Sequence, residues 1–574
     1  MATVRAISDE IRRPTDVRRL AVQRILAFPV LLGVLLAAAA STALHFHFFD
    51  PDTWWHLKAG EQILKTASLP HHDAYSFTVV GNPWMAYEWV GEVIFAFFAR
   101  WGGLTALAAL LLILSGAIMA LLYAYATLRT GNCKAAFTSC ALFLPVIVVF
   151  FTLRPQLLGY IFLLFTLISL ELFRQGRRRA LWALPGIFLI WVNTHGTFVL
   201  GLACLGIYWL AGLKSFEWGG VEARRWTDNE RRQLETVGLL SVVALLITPY
   251  GSKLAAYPVE MLLLQPVNLA NIQEWQPLSF RLLLGKFLLV LLLLYFLGEV
   301  IFRFKYRLED LALLVVAVFA ACVHVRLIVF LVMVLVPHYA SALRRWIPPY
   351  RLLKDHFGLN GGMMAMIAVG FVWLMPAGAR LLRLTVHDYP AGAVAYLHQH
   401  PAPARMFNEY GWGGYLIWSL GPQRKVFIDG RADVYEYAGV LQDYLHMTRL
   451  APNTLFLFRK YGIQACLVKR NAPLATMLAH LAGWKRVYEG RISALYVRRN
   501  EPPAAHERAE IRPPSVRNKS KRGAIEMFPA RITPLGIGFA RRFEVGCAGV
   551  SCKVRAVRDF IPNISKFNRR MKEL

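Results

Sequence analysis

No G-x-x-x-x-G-K-[ST] loop occurs in the 574 residues, which excludes a P-loop ATP-driven pump. G-x-S-x-G and H-E-x-x-H are missing too, so there is no hydrolase nucleophile elbow and no zincin metal helix. The seven cysteines (Cys133, Cys140, Cys204, Cys322, Cys466, Cys547 and Cys552) form no C-x-x-C pair and suggest no zinc site. Cys547 and Cys552 could pair in an oxidising compartment; two unrelated thiols in a tail is the alternative reading. Internal repeats are not evident, and charges gather at one membrane face rather than mid-span, which argues against a transporter. No short apolar segment precedes a small-residue cleavage site, so residues 24–44 are expected to remain as a signal anchor. Acids are scarce: 35 Asp and Glu stand against 64 Lys and Arg, a net charge of +29. The excess lies in short loops and a terminal tail, where it sets topology, so nucleic acid is not the expected partner.

What the chain has is hydrocarbon. Hydrophobic residues make up 56% of it, above the roughly 45–50% of a soluble protein, and mean hydropathy is +0.43. Apolar runs predict a polytopic α-helical membrane protein with eleven spans, near 24–44, 104–127, 135–151, 156–173, 180–193, 196–213, 236–250, 286–302, 310–323, 326–343 and 362–380. The pairs near 180–213 and 310–343 read as tight antiparallel hairpins. Arg5, Arg12, Arg13, Arg18 and Arg19 mark residues 1–23 as a cytoplasmic basic N-terminus. From that start, the loops expected inside carry eighteen Lys and Arg, among them Arg129, Arg174, Arg224, Arg307 and Arg344, against eight in the longer outside loops. The basic residues therefore sort to the cytoplasmic side at each crossing, in a cell (inner or plasma) membrane.

The unusual residues fall on the other side. The outside loop 45–103 opens with Phe49-Asp50-Pro51-Asp52-Thr53-Trp54-Trp55-His56 and also holds Asp73, Trp84, Glu88 and Glu92. Arg154, Asn193 to Gly196 with His195, Thr248 to Gly251 with Tyr250, Glu274-Trp275, and His324-Val325-Arg326 share that face. Charged and polar groups beside hydrocarbon are costly unless paired or employed. Arriving from separate turns, they read as the lining of one cavity; helix caps and turns are the alternative for each alone. Residues 57–67 suit a short amphipathic helix lying on the membrane, and Glu88–Trp101 a second amphipathic piece leading into the next span. His71-His72-Asp73 is the one place where a divalent metal is considered. Adjacent His do not share a helix face, and no cofactor is predicted.

Residues 24–384 are thus read as a transmembrane domain and 385–499 as an extracytoplasmic α/β domain covering the cavity mouth. In the latter, Pro390–His400 and Gly414–Leu420 read as helices. Ala404–Phe407, Lys425–Asp429 and Ala465–Lys469 read as strands, and Trp484–Val497 as a hairpin turning near Glu489-Gly490. Asn408 to Tyr415, with Glu409, and Ile428 to Asp433, with Asp429 and Arg431, follow strand ends, where α/β modules place ligands; turn chemistry is the alternative. Residues 500–574 read as a basic, solvated, disordered tail able to touch anionic headgroups.

One span, an outside loop opening on Asp and aromatics, an amphipathic helix, a many-span bundle and a C-terminal domain together resemble the type-C glycosyltransferase fold. That superfamily includes protein O-mannosyltransferases, lipid A aminoarabinose transferases and oligosaccharyltransferase catalytic subunits. Phe49 to His56 carries the resemblance. Pro70 to Trp84 resembles a later part of the oligosaccharyltransferase loop, and Glu409 to Tyr415 is faintly similar to its W-W-D-Y-G segment. W-W-D itself is missing before Tyr410-Gly411, so sequon recognition is not carried over. The resemblance implies an enzyme that moves a sugar from a polyprenyl-phosphate-linked donor to a glycan, lipid or protein acceptor. Asp50 or Asp52 would be the base. Arg326, Arg154 and His324 would stabilise the leaving phosphate. His56, His195 and Tyr250 would line the site, with Trp54 and Trp55 against sugar or lipid. The competing readings are a non-catalytic binder of lipid-linked glycan or envelope-assembly partner on the same scaffold, and a transporter.

Overall fold

A computed structural model describes residues 22–44, 50–375, 378, 380, 381, 383 and 387–499. The readings made for residues 1–21, for Phe49, for the Cys547–Cys552 pair and for the 500–574 tail fall outside the described residues.

A helix stands at each expected span. Five helices (Trp89–Thr130, Cys133–Phe150, Gln156–Arg174, Leu283–Phe302 and Val325–Leu343) are long and apolar enough to cross a membrane. Several local choices explain where helices begin and break. Trp89–Thr130 is two helices joined at Gly102-Gly103, and Gly103 has φ +60°, which a side chain would oppose. That joint separates the amphipathic piece ending at Trp101 from the apolar run after it. Asn132 caps Cys133–Ile147 by accepting from Lys134 and Ala135 N–H. The span expected at 236–250 instead occupies Asp228–Ala244, because Thr227 and Glu230 form a reciprocal capping box that fixes an earlier start. Leu308–Val323 packs against Ile328–Leu343 as expected, whereas Leu184–Val192 leans mainly on Asp228–Ala244. The bundle core is a continuous apolar cluster, with Leu111, Met119, Phe143, Leu163, Phe188 and Phe330 all buried.

Several arginines counted as free topology markers prove to be otherwise engaged. Arg129 forks onto Asp310 at 2.9 and 2.6 Å, Arg307 bonds Glu171 and Asp310 at 2.7 Å each, and Arg174 pairs with Glu309 at 2.9 Å. The carboxylates are almost wholly buried and tie the ends of three helices together. A three-stranded sheet lies nearby: β1 (Phe216–Trp218) runs antiparallel to β2 (Val221–Ala223), and β2 parallel to β3 (Tyr306–Arg307). Read as basic loops, these segments gave no period-2 signal long enough to notice.

The C-terminal α/β part has strands β4 (Met406–Asn408), β5 (Ala465–Lys469), β6 (Trp484–Glu489) and β7 (Ser493–Arg498) in the order β4-β5-β7-β6. Only β4 and β5 are parallel, with Phe407 opposite Cys466. Helices Ala391–Gln399 and Gly413–Leu420 and the β6–β7 hairpin match the sequence reading. Lys425–Asp429 does not join the sheet. It runs along the first loop instead: Val426 N–H donates to Tyr75 C=O and Phe77 N–H to Val426 C=O, a single parallel bridge to Ser76. The first loop thus supplies part of this domain's core, where Trp54, Trp55, Val79 and Trp84 are buried with Phe427, Tyr415 and Leu416.

Removing one partner of a buried charge pair leaves the other uncompensated, at a cost of about 3–5 kcal/mol. Asp310→Ala should therefore lower the melting midpoint of the detergent-purified chain clearly. Arg224→Ala, which removes a half-exposed partner of Glu230, should shift it little.

Candidate functional site

The helix Thr53–Thr66 is the floor of the site. It starts earlier than the 57–67 expected, so Thr53, Trp54, Trp55 and His56 lie inside it, and all four are buried. It packs on Trp89–Thr130 and on Gly413–Leu420, which corrects the picture of a helix lying on the membrane surface. Close approach is built in by glycine. A Cβ on Gly60 would overlap the Glu92 carbonyl, and one on Gly91 would press Pro155. Thr53 Oγ1 accepts from Asp50 N–H at 3.1 Å and donates to the Leu153 carbonyl at 2.8 Å, pinning the helix start to the turn that carries Arg154.

Asp52 holds the N-cap position but makes no cap bond. Its carboxylate turns outward instead. Oδ1 accepts from Trp55 Nε1–H at 3.1 Å and Oδ2 lies 3.2 Å from Arg154 Nη2. Arg154 also binds Glu274, and Asp50 Oδ1 accepts from Asp52 N–H at 2.9 Å. Burial raises the Asp52 carboxyl to about 7; Arg154 pulls it down, while Asp50 and Glu274 push it up. Asp50 is raised mainly by burial as well. Burial acts to raise Glu274 too, but Arg154 and Arg326 outweigh it and hold that carboxyl below the usual range.

These groups open onto a cavity of about 690 Å³. Asp50, Asp52, Trp55, His56 and Glu88 line it from the first loop, Arg154 and His195 from two turns, Glu274-Trp275, His324 and Arg326 from two more, and Tyr410, Gly430 and Asp433 from the α/β part. Arg326 stands 4.2 Å over the Trp275 ring and forms no ion pair among the described residues, while His324 Nδ1–H donates to the Trp275 carbonyl at 2.7 Å. One flank is apolar, made by Val199, Leu200, Val259, Met261 and Leu262. Val199, Val259 and Leu262 are exposed. A polar pole beside an apolar flank suits an amphiphile with an anionic head.

Of the residues given a role in the site from sequence, the cavity brings together eight: Asp50, Asp52, Trp55, His56, Arg154, His195, His324 and Arg326. It does not include the others. Trp54 is fully buried against Tyr389, Tyr415 and Trp418, with ring centroids 5.7, 5.5 and 4.7 Å away, so it anchors the α/β part rather than facing sugar or lipid. Asp73, Asp429 and Arg431 form one buried clamp. Arg431 bonds Asp73 at 2.7 Å and Asp429 at 2.6 and 2.8 Å, between the rings of Trp84 and Tyr75. Asp73 also accepts from Ser76 Oγ–H at 2.7 Å, so it is committed to the fold and not to a metal with His71 and His72. Tyr250 donates to the Pro70 carbonyl and accepts from Ala86 N–H, bracing the first loop. Glu409 accepts from Lys469 N–H at 3.1 Å, across the β4–β5 edge.

Glu88, Glu274 and Trp275, read from sequence as part of one cavity lining without a named role, do line it. Tyr410 and Asp433 line it as well, from the two polar clusters that follow strand ends, Asp433 four residues after Asp429.

No protein-family model and no curated protein matches the chain. Solved structures of similar fold include ArnT from Cupriavidus metallidurans bound to undecaprenyl phosphate, at 16% identity over 81% of this chain and 97% of that one, TM-score 0.45. They also include the oligosaccharyltransferase AglB from Archaeoglobus fulgidus in complex with an inhibitory peptide and a dolichol-phosphate, at 11% identity over 76% of this chain and 69% of that one, TM-score 0.47.

Gly430 sets the roof of the site. A Cβ there would overlap Asp52 Oδ1 and lie 3.0 Å from Trp55 Nε1. Gly430→Ala should break the Asp52–Trp55 hydrogen bond and move the carboxyl, while Arg154 keeps Glu274; a cryo-EM map of the variant checks this.

Proposed function

We propose that the chain is a membrane glycosyltransferase, moving a sugar from a polyprenyl-phosphate-linked donor to a glycan, lipid or protein acceptor. One observation carries the reading: Asp52 shares a cavity with Arg154 and Arg326, and that cavity has an exposed apolar flank. An acceptor hydroxyl or amine needs a group that takes or orients its proton. Asp52, in contact with Arg154, is the first candidate, and Asp50, which lines the same cavity, is the second. As the acceptor atom bonds to the anomeric carbon, the carbon–oxygen bond to phosphate breaks and the charge stays on the phosphate. Arg326, which forms no ion pair among the described residues, and Arg154, released from Glu274, are the cations that would receive it. His324 and His195 complete the polar wall, and Trp55 holds the base. The isoprenoid would lie along Val199, Leu200, Val259 and Leu262.

The same reading places the N-terminus in the cytoplasm of a cell membrane, eleven crossings in residues 24–384, and the α/β domain at 385–499 on the far side. The Asp52 pole then meets donors and acceptors presented outside the cytosol.

Asp52→Asn should reduce glycan product by about 10²–10⁴-fold with normal membrane insertion. Asp50→Asn should cost less. Unchanged glycan in both single mutants and the double mutant would favour a non-catalytic binder. Asp52 acts as a base only when ionised, so wild-type rate should rise with pH through about 7, the value to which burial lifts its carboxyl. Asp52→Asn should abolish that limb of the profile.

A further inference from the structure

From the cavity wall inward runs a chain of acid–base groups, His195, Glu88, His56 and Glu92, whose proton chemistry the transfer reaction does not use. His56 Nε2 faces Glu88 Oε2 at 3.3 Å, and His56 Nδ1 faces Glu92 Oε1 at 3.2 Å. Glu88 Oε1 faces His195 Nε2 at 3.3 Å. Glu88 and both histidines are at least nine-tenths buried, and Glu92 is fully buried.

Counting hydrogens fixes much of the proton distribution. Thr197 N–H donates to His195 Nδ1 at 3.1 Å. A backbone amide can only donate, so Nδ1 is unprotonated and His195 is neutral, giving its Nε2–H to Glu88. His56 faces a carboxyl with each nitrogen. A neutral imidazole has one donor and one acceptor, so one of the two carboxyls must carry a proton. The alternative, an imidazolium between two carboxylates, puts three charges where neutral His56 needs one. Glu92 Oε2 has no hydrogen-bond partner among the described residues, so of the two arrangements with neutral His56 the one with Glu92 protonated is the resting one. The N-terminal turn of Trp89–Thr130 favours a charge on Glu92 by only about 0.3–1 kcal/mol, whereas an uncompensated buried ion costs several kcal/mol. Burial, Arg154 and His195 all oppose protonation of His56.

We infer that Glu88, His56 and Glu92 share one proton, and that its position sets the charge Glu88 presents to the cavity. In one arrangement Glu92 is protonated and donates to His56 Nδ1, His56 Nε2–H donates to Glu88, and Glu88 is the carboxylate. In the other, Glu88 is protonated and donates to Nε2, and Nδ1–H donates to a charged Glu92. Two protons move one bond each along the chain, no net charge is gained or lost, and the negative charge passes between cavity wall and interior. Glu88 is thereby a second acid–base group of the cavity, and His56 and Glu92 are the positioning residues that set its state. Gly60, one turn after His56, admits the Glu92 carbonyl and so holds the two helices close enough for the chain to exist.

The groups facing Glu88 are Arg154 and Arg326 as cations and Asp52 and Glu274 as acids; Arg431 acts on Glu92 from behind. An anion seated on Arg154 and Arg326 neutralises the cations that favour a charged Glu88. It therefore drives the proton outward, to Glu88. This anion response rests on the proposed phosphate-binding reading; the shared proton does not.

Infrared spectra of the detergent-purified full chain at neutral pH test it, with inorganic pyrophosphate as the anion. Wild type should show the carbonyl stretch of a protonated carboxyl that Glu92→Gln removes. Pyrophosphate should replace it with one that Glu88→Gln removes. Carbonyl regions identical in wild type and both variants overturn the inference, as do imidazolium bands that vanish in His56→Gln. If Glu92→Gln does not fold, the wild-type minus Glu88→Gln spectrum decides: a pyrophosphate-induced Glu88 carbonyl band supports the switch and its absence ends it. Glycan product is scored separately, so an absent switch and an absent transferase are told apart.

Discussion

The arrangement hangs on one guanidinium. Arg154 touches Asp52 and Glu274, and its field reaches Asp50, Glu88 and His56. Five carboxyls around one cavity cannot all ionise beside hydrocarbon with two cations to balance them. Arg154 decides which do. Glu274, held directly and reached by Arg326, is driven to the carboxylate; Asp52, also held but crowded by Asp50 and Glu274, stays poised near neutrality. Replacing the arginine by an apolar residue would not simply remove a contact. It would reassign the protons of the whole pocket.

A poised carboxyl is useful only if its position is fixed, and that task falls to the α/β part. Trp54 is buried among Tyr389, Tyr415 and Trp418, and Arg431 joins Asp73 of the first loop to Asp429 two residues away in the chain. Gly430, between Asp429 and Arg431, is then brought against Asp52 with no side chain to intrude. The clamp and the site are therefore one construction: the ion cluster sets the height of the roof, and the missing Cβ admits the carboxylate beneath it. This is why residues far apart in sequence and outside the cavity still bear on its chemistry.

How much of this was legible beforehand follows from physical range. Helix positions came from long apolar runs, because crossing hydrocarbon leaves the backbone few alternatives. The gathering of Asp50, Asp52, Arg154, His195, His324 and Arg326 came from charge lying on one face of that map. What sequence could not separate was a buried polar residue that lines the cavity from one that staples the fold. Asp73, Asp429 and Arg431 look like Asp52 and Arg154 in composition, and differ only in having each other as partners. Lys425–Asp429 has a strand's composition but pairs with a loop, since its edge partner, Tyr75 to Phe77, is supplied from some 350 residues away. The buried pairs of Arg129, Arg174 and Arg307 were hidden for a related reason: a positive loop residue reads the same whether it faces headgroups or a carboxylate.

The proton-sharing chain and the Arg154 cluster bear on a common difficulty. A site built to receive an anion must be positive when loaded, yet a pair of unbalanced guanidinia in a half-apolar pocket is unfavourable when empty. Glu274 meets this at Arg154 by pairing with it. Among the described residues no carboxylate pairs with Arg326, which rests on the Trp275 face instead. Charge on Glu88 supplies the balance at a distance, and a route for that charge to retreat to Glu92 lets the balance be withdrawn once an anion arrives. A fixed carboxylate in the place of Glu88 would repel the ligand, and a fixed neutral group would leave the empty pocket overcharged. A carboxyl wired through an imidazole to a second, deeper carboxyl avoids both.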